Sequence, residues 1–302
     1  MSLGYRVVQW SRHKRVYDLC VGSGIILFLT VFVLVALLRS GGAPAPEVLA
    51  IPALGACAIV LLHVILCIGP LARLNPRFLL ILYNRRHLGV MTFFVALAHG
   101  LLSIGYYHGF GTVNPLISLL ASNTNYTSIS AFPFQVLGLG GLIIMFVLAA
   151  TSHDFWLKNL SAVTWKRLQM LAYVAYAALV AYVALGAMQS ERASIVASLL
   201  LGGVALVSVL QIAAALRERR GDQLAGATDG WVDAGSVAEI SMDRARIVCA
   251  GAELIAIFRH ASGVSAVTNI CANQGGPLGE GKVVDGCITC PWHGWQYRPQ
   301  DG

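Results

Sequence analysis

The chain has 302 residues, of which 57% are hydrophobic and only 12% charged, and its formal net charge is +7. Soluble proteins carry about 25% charged residues, so this composition excludes an ordinary soluble globular protein. The excess of basic residues is spread unevenly along the chain, which favours membrane topology over nucleic-acid binding as its cause.

Six apolar segments reach the roughly 20 residues that an α-helix needs to cross a bilayer. The first is too long for a signal peptide, and no A-x-A-like cleavage site follows it, so we interpret it as a retained anchor. The sequence therefore predicts an all-α membrane bundle of six helices. The predicted spans are 18–38, 49–68, 88–108, 134–152, 168–188 and 194–216.

Basic residues lie mostly in the connections on one side of these six spans. The positive-inside rule places that side, and with it both termini, in the cytoplasm. We expect a multi-pass membrane protein with the lipid bilayer as a partner and no nucleic-acid partner. The basic side carries Arg6, Arg12, Lys14, Arg15, Arg73, Arg77, Arg85, Arg86, Lys158, Lys166, Arg167, Arg217, Arg219 and Arg220, whereas the other side carries Arg39 and Arg192.

Several histidine-containing motifs lie within or beside the spans. They are YNRRHLG at 83–89, ALAHG at 96–100, YHGFG at 107–111, ATSHDFW at 150–156 and WKRLQML at 165–171. These motifs resemble the ferric reductase-like transmembrane domain, a haem-binding family, over about residues 60–190. The resemblance is closest to bacterial members that carry a C-terminal Rieske module, which implies the bacterial inner membrane as the location.

The resemblance implies b-type haem held by histidines of the third and fifth helices. His99 matches the third-helix ligand, but the fifth-helix positions, thirteen residues apart, are Gln169 and Tyr182. At 1.5 Å per residue they lie about 20 Å apart along the axis, which separates two haem levels. Because a tyrosine phenolate can bind haem iron, His99 with Tyr182 is one alternative, and His63 lies nearer the level of Gln169. We expect at most one haem, weakly held; the other interpretation is that these histidines are structural.

After the sixth span the sequence changes to a polar linker and then to short β-like segments. Residues 245–249, 253–258 and 264–268 have the composition of strands, and Gly, Asp and Ser separate them. We therefore predict a small all-β domain after the bundle. The predicted division is a cytoplasmic N-terminal segment 1–17, a six-helix domain 18–216, a linker 217–230 and a β domain 231–302.

Two loops of this β domain carry metal-ligand residues: Cys271-Ala272-Asn273, then sixteen residues, then Cys290-Pro291-Trp292-His293. This spacing resembles the Rieske domain, which implies a [2Fe–2S] cluster with two thiolates on one iron and two imidazoles on the other. Asn273 stands at the first imidazole position, so a cluster would have an incomplete ligand set. The chain also ends nine residues after His293, so we expect a short or truncated Rieske-like domain.

Four states of this site remain open. Asn273 or water completes the cluster, or Cys287 joins to give three Cys and one His. Alternatively, Cys287, Cys290 and His293 bind Zn²⁺ through their C-x-x-C and histidine pattern, or the two loops hold no metal.

Gln169, Tyr182 and Asn273 are each one base change from a histidine codon, which points to relaxed selection on redox function.

One hypothesis is a membrane protein that passes electrons between a cytoplasmic donor or the quinone pool, the Rieske module and membrane haem. The second is a redox-silent accessory subunit of a larger redox, photosynthetic or respiratory complex, and the third is a small-molecule or metal sensor. No nucleotide-binding Gly-rich loop is visible, which argues against reduction by flavin or NADPH within this chain.

Overall fold

The computed structural model of the chain shows a helical region followed by a small β domain. Its described residues are 12–40, 42, 44–75, 78, 81, 85–121, 123–152, 156, 162–188, 193–225, 231–250, 253–272, 276–291 and 294–302.

The described helices before residue 226 form the membrane region. Five of them are long and apolar enough to cross a membrane, as the lengths of the apolar segments predict. The helices are α1 (Arg12–Ser40), α2 (Pro46–Leu74), α3 (Arg85–His108), the short α4 (Pro115–Ala121), α5 (Gln135–Ala150), α6 (Ala162–Met188) and α7 (Ala193–Ala225).

The predicted fourth span coincides with α5, which has only 16 residues. At 1.5 Å per residue it is about 24 Å long, shorter than the roughly 30 Å hydrocarbon core of a bilayer. Five spans are therefore supported by helix length, and the count of six stays a prediction.

The bundle packs around α2, which contacts α3 and α7, while α6 contacts α5 and α7. One buried cluster joins α2 to α7 through Leu66, Cys67 and Val207. Leucines far from these contacts are exposed, such as Leu38 and Leu199. Such exposure is expected of helices that are solvated by lipid, which is as apolar as leucine itself.

The β domain consists of two three-stranded antiparallel sheets, ordered β1-β2-β3 and β4-β5-β6. Ala256, Phe258 and Ile288 pack together with no exposed surface and join the two sheets. The three strands predicted from the sequence are confirmed, with ends that differ by at most two residues. The strands are β1 (Arg244–Ala250), β2 (Glu253–His260), β3 (Gly263–Thr268), β4 (Lys282–Val284), β5 (Cys287–Thr289) and β6 (Gln296–Tyr297).

Reporter fusions test both the orientation and the span count. If α5 crosses the membrane, phosphatase fused within 112–130 is active, and fluorescent protein fused within 157–161 or after residue 220 is fluorescent. If α5 does not cross, the fusions at 157–161 and after 220 change sides together. The reverse pattern at all three positions would contradict the positive-inside assignment.

Candidate functional site

Two buried cysteines lie on neighbouring loops of the β domain. Cys271 comes after β3 and Cys290 after β5, and each is 1% exposed. Both pack against Leu278 in one apolar cluster. The Cys271 amide donates to the carbonyl of Gly276 and the Cys290 amide to that of Trp295, both at 2.8 Å. The fold thus brings the two predicted thiolate ligands together and shields them from water.

Tyr297 of β6 is a residue of this site that the sequence analysis missed. Its hydroxyl lies 2.8 Å from Sγ of Cys271 and accepts a hydrogen bond from the Ala272 amide at 3.0 Å. With Cys271 as a thiolate, the hydroxyl is the donor to sulfur. Hydrogen bonds to cluster sulfurs are one of the factors that set the reduction potential of iron–sulfur centres. The sequence signal was weak: an aromatic residue seven positions after Cys290.

The other predicted ligands are placed less favourably or not described. Asn273 and His293 lie outside the described residues. Within the described part of the chain, no three His, Cys, Asp or Glu side chains come together as a metal site. In β5, Ile288 is buried and Cys287 half-buried. Because side chains alternate between the faces of a strand, Cys287 lies on the face opposite Ile288, whereas Cys290 follows the end of the strand.

In the membrane region, His99 of α3 contacts both α2 and α6. Its Nδ1 lies 2.9 Å from the carbonyl oxygen of Ile51, and its Nε2 lies 3.1 Å from the hydroxyl of Tyr182. A carbonyl can only accept, so Nδ1 carries the hydrogen and Nε2 is the acceptor for the tyrosine. Tyr182 lies at the depth of His99, as expected. Its hydroxyl, however, donates to the lone pair of His99 Nε2 to which an iron would bind.

The two rings fill the space around this hydrogen bond. A Cβ at Gly55 of α2 would lie 2.9 Å from Cε1 of His99, and a Cβ at Gly138 of α5 would lie 2.8 Å from Cδ2 of Tyr182. An iron held by both side chains would lie roughly 2 Å from each ligand atom, as other first-row metals do, so the two atoms would be about 4 Å apart. Nε2 of His99 and the hydroxyl oxygen of Tyr182 are only 3.1 Å apart. A haem between His99 and Tyr182 therefore does not fit this arrangement.

His63 of α2 packs edge-on against Tyr176, with ring centroids 5.4 Å apart. Tyr176 lies between Gln169 and Tyr182 on α6, so the expectation that His63 lies nearer the level of Gln169 stays a prediction. Nδ1 of His63 donates to the Ile59 carbonyl at 2.6 Å. Among the described residues its Nε2 is buried and has no hydrogen-bond partner. A Cβ at Gly203 of α7 would lie 2.4 Å from this nitrogen, so α7 can approach the ring because Gly203 has no side chain.

Glu280 lies two residues after Leu278 and is half-buried. Burial raises the pKa of its carboxyl above the ordinary value, and the nearby positive charge of Arg73 lowers it by less. A carboxyl with a raised pKa binds protons more readily in the folded state. Stability is therefore lost as the pH rises from the ordinary glutamate pKa through the raised one.

Glu280→Gln is expected to remove this loss, since the amide has no charge to desolvate. The thermal midpoint of the β domain in the whole protein should then exceed that of the parent by up to a few degrees at pH 8 and match it at pH 4. Glu253→Gln on the exposed start of β2 is the control. A lower midpoint for Glu280→Gln at pH 8 would contradict this sign.

The bundle and the cysteine loops together define a membrane protein with a redox-type β domain. Residues 53–180 match the family model described as "Ferric reductase like transmembrane component", and residues 230–302 match that of the "Rieske [2Fe-2S] domain". The chain thus carries a ferric reductase-like transmembrane domain followed by a Rieske domain.

Similarity to curated proteins is limited to short stretches. The chain is 35% identical over 63 residues to the anthranilate 1,2-dioxygenase ferredoxin subunit of Burkholderia cepacia. It is 46% identical over 52 residues to cholesterol 7-desaturase nvd of Xenopus laevis and 47% over 34 residues to chlorophyllide a oxygenase of Chlamydomonas reinhardtii.

These stretches are 21%, 17% and 11% of this chain, respectively, and they span only 58%, 12% and 5% of those relatives. No solved structure matches the chain.

Proposed function

We propose that this chain is an electron-transfer protein of the bacterial inner membrane with both termini in the cytoplasm and with altered ligand positions at its cofactor sites. The observation that carries the proposal is the pair Cys271 and Cys290, buried together beside Leu278. Two thiolates on adjacent loops with no solvent access suit one iron of a [2Fe–2S] cluster. The similarity to a ferredoxin subunit supports the same role.

Each residue at the cysteine loops has its own role in this proposal. Cys271 and Cys290 would hold one iron, and His293 would hold the second, with Asn273 at the position of the other imidazole. Such a centre supplies one-electron transfer when bound. Tyr297 donates to the sulfur of Cys271, and Leu278 keeps water from both thiolates. The electron donor in this proposal is a cytoplasmic protein or the quinone pool.

Tyr297→Phe is expected to lower the reduction potential of the centre, because the hydroxyl stabilises the more negative reduced state. One hydrogen bond is worth about 1 kcal/mol, which corresponds to roughly 40 mV for a one-electron couple. A redox titration in the Asn273→His background measures the change. A potential equal to or above that of the background would show that the hydroxyl does not act on the sulfur.

A second function, a redox-silent subunit of a larger membrane complex, is favoured by the hydrogen bond between His99 and Tyr182. In that bond Nε2 of His99 accepts from Tyr182 and so joins α3 to α6 instead of binding an iron. In this case the bundle and the β domain serve as contact surfaces for other subunits.

Iron and acid-labile sulfide analysis with a visible spectrum of the purified protein separates the two functions. Electron transfer predicts both elements in the protein and their loss in Cys290→Ser. A featureless spectrum and no sulfide in freshly prepared, anaerobic protein would contradict electron transfer and support the redox-silent role.

A further inference from the structure

The connection between α3 and α5 carries no charged side chain. The sequence contains no Asp, Glu, Lys or Arg between Arg86 and Asp154, and residues 109–134 fall within this stretch. Soluble proteins carry about 25% charged residues, so about six would be expected in a water-exposed connection of this length. We call residues 109–134 the cap; it follows the end of α3 that is opposite Arg85. Its composition favours surroundings less polar than water.

The cap is held against the bundle at two points. Oγ of Ser118 on α4 lies 2.9 Å from Nδ1 of His108 at the end of α3, and the next residue, Leu119, is buried. At the other end of the cap, Phe134 packs against Tyr182 of α6, with ring centroids 5.6 Å apart. The cap is therefore a fixed part of the fold, and one side of it faces the bundle.

The other side of α4 is apolar and exposed. Leu116, Ile117 and Leu120 lie on it at helical spacing, and each is about half exposed. Phe110 before the helix is 91% exposed and Ile129 after it is 71% exposed. A helix on the surface of a soluble protein presents a polar face to water. Helix α4 instead presents apolar side chains both to the bundle and away from it.

The exposed apolar surface of the cap continues the lipid-facing surface of the bundle. Leu101 and Tyr107 of α3, which precede the cap, are also exposed. Tyrosine is frequent where a membrane helix meets the lipid headgroups. A docking surface for a water-soluble protein has a polar rim, and the cap has no charged residue to supply one. These observations favour lipid over a soluble protein as the partner of this surface.

Asparagine side chains of the cap provide partners for its irregular backbone. Oδ1 of Asn123 accepts from the Asn125 amide at 3.0 Å, and Nδ2 of Asn123 donates to the Ala131 carbonyl at 2.8 Å. Oδ1 of Asn125 accepts from the amide and the hydroxyl of Thr127, at 3.2 and 2.9 Å. Backbone groups that have internal partners lose less free energy when they leave water. These bonds lower the cost of moving this part of the chain towards the lipid.

We propose that the cap lies in the membrane interface, with Phe110, Ile117 and Leu120 inserted among the acyl chains beneath the headgroups. The apolar face of an interfacial helix is buried roughly 5–10 Å into this boundary. The consequence is that lipid, and not a water-soluble partner, covers this end of the bundle. This inference goes beyond electron transfer and holds whether or not a cluster or haem is bound.

Tryptophan fluorescence in lipid vesicles tests this position. Phe110→Trp and Ile117→Trp each place a reporter on the exposed side of the cap in the full-length protein, and the fluorescence of the parent is subtracted. Phosphatidylcholine brominated on the upper part of its acyl chains is expected to quench both reporters at least about threefold more than the control Glu253→Trp, on the exposed start of β2. Iodide, present on both sides of the vesicles, is expected to quench the control more than either cap variant.

The other outcomes contradict the proposal, and each identifies a different cover. Strong quenching of both cap variants by iodide with little by bromine would show a water-exposed cap, as a soluble protein partner requires. Protection from both quenchers would show that a second copy of this chain covers the surface. Because none of these measurements involves iron, failure here would leave the electron-transfer function untouched.

Discussion

Asn273→His is expected to convert the labile cluster of the parent, in which Asn273 stands at an imidazole position, into a stable Rieske centre. The second iron of such a cluster needs two imidazoles, and His293 supplies only one. We expect the parent to hold iron and sulfide at low occupancy, to lose them readily and to lack a Rieske-type electron paramagnetic resonance signal after reduction. The variant should hold about one cluster per chain with that signal.

Matched variants sharpen this test. Asn273→Gln keeps an amide at the position and should gain nothing. Adding Cys290→Ser to Asn273→His removes a thiolate from the first iron and should abolish the cluster. Full occupancy and a Rieske-type signal in the parent would defeat the argument, and would show that Asn273 or another group completes the ligand set.

The second large effect is expected at the contact between His99 and Tyr182. The double variant Tyr182→His with Gln169→His supplies the imidazoles that the fifth membrane helix lacks and removes the hydroxyl that is bonded to Nε2 of His99. Haem enters this level only when the two packed rings move apart, and the double variant is expected to allow this and to show a Soret band. The hydrogen on Nδ1 of His99 already leaves Nε2 as an acceptor, which is the state a metal ligand requires. The parent is expected to bind no haem tightly at this level.

Tyr182→Phe separates the loss of the hydrogen bond from the gain of a ligand. It should not bind haem, and it should destabilise the bundle by about 1 kcal/mol, since it removes the partner of a half-buried acceptor. Thermal unfolding in detergent and pyridine-haemochrome analysis measure the two effects. Two tightly bound haems in the parent would prove the assignment of ligand positions wrong.

The loops around the cysteines could be predicted because residues close together in the sequence identify them. The spacing of Cys271 and Cys290 with His293 identifies the Rieske-like loops, and the strand-like composition of residues 245–249, 253–258 and 264–268 predicts β1, β2 and β3. Tyr297 was missed because its role depends on strand β6 pairing with β5. That pairing brings the residue back to a loop 26 residues earlier in the chain.

The sequence by itself determined the membrane class, the approximate helix positions and the β domain, because the length of apolar runs and the spacing of ligands are properties of neighbouring residues. Only the tertiary structure decided that His99 meets Tyr182 and that His63 meets Tyr176. In a soluble helix, one apolar face shows which side is buried. In a membrane helix the lipid-facing side is as apolar as the packed side. The rotation of each helix, and with it the partner of each histidine, is therefore set by packing between helices, including the close approaches at Gly55, Gly138 and Gly203.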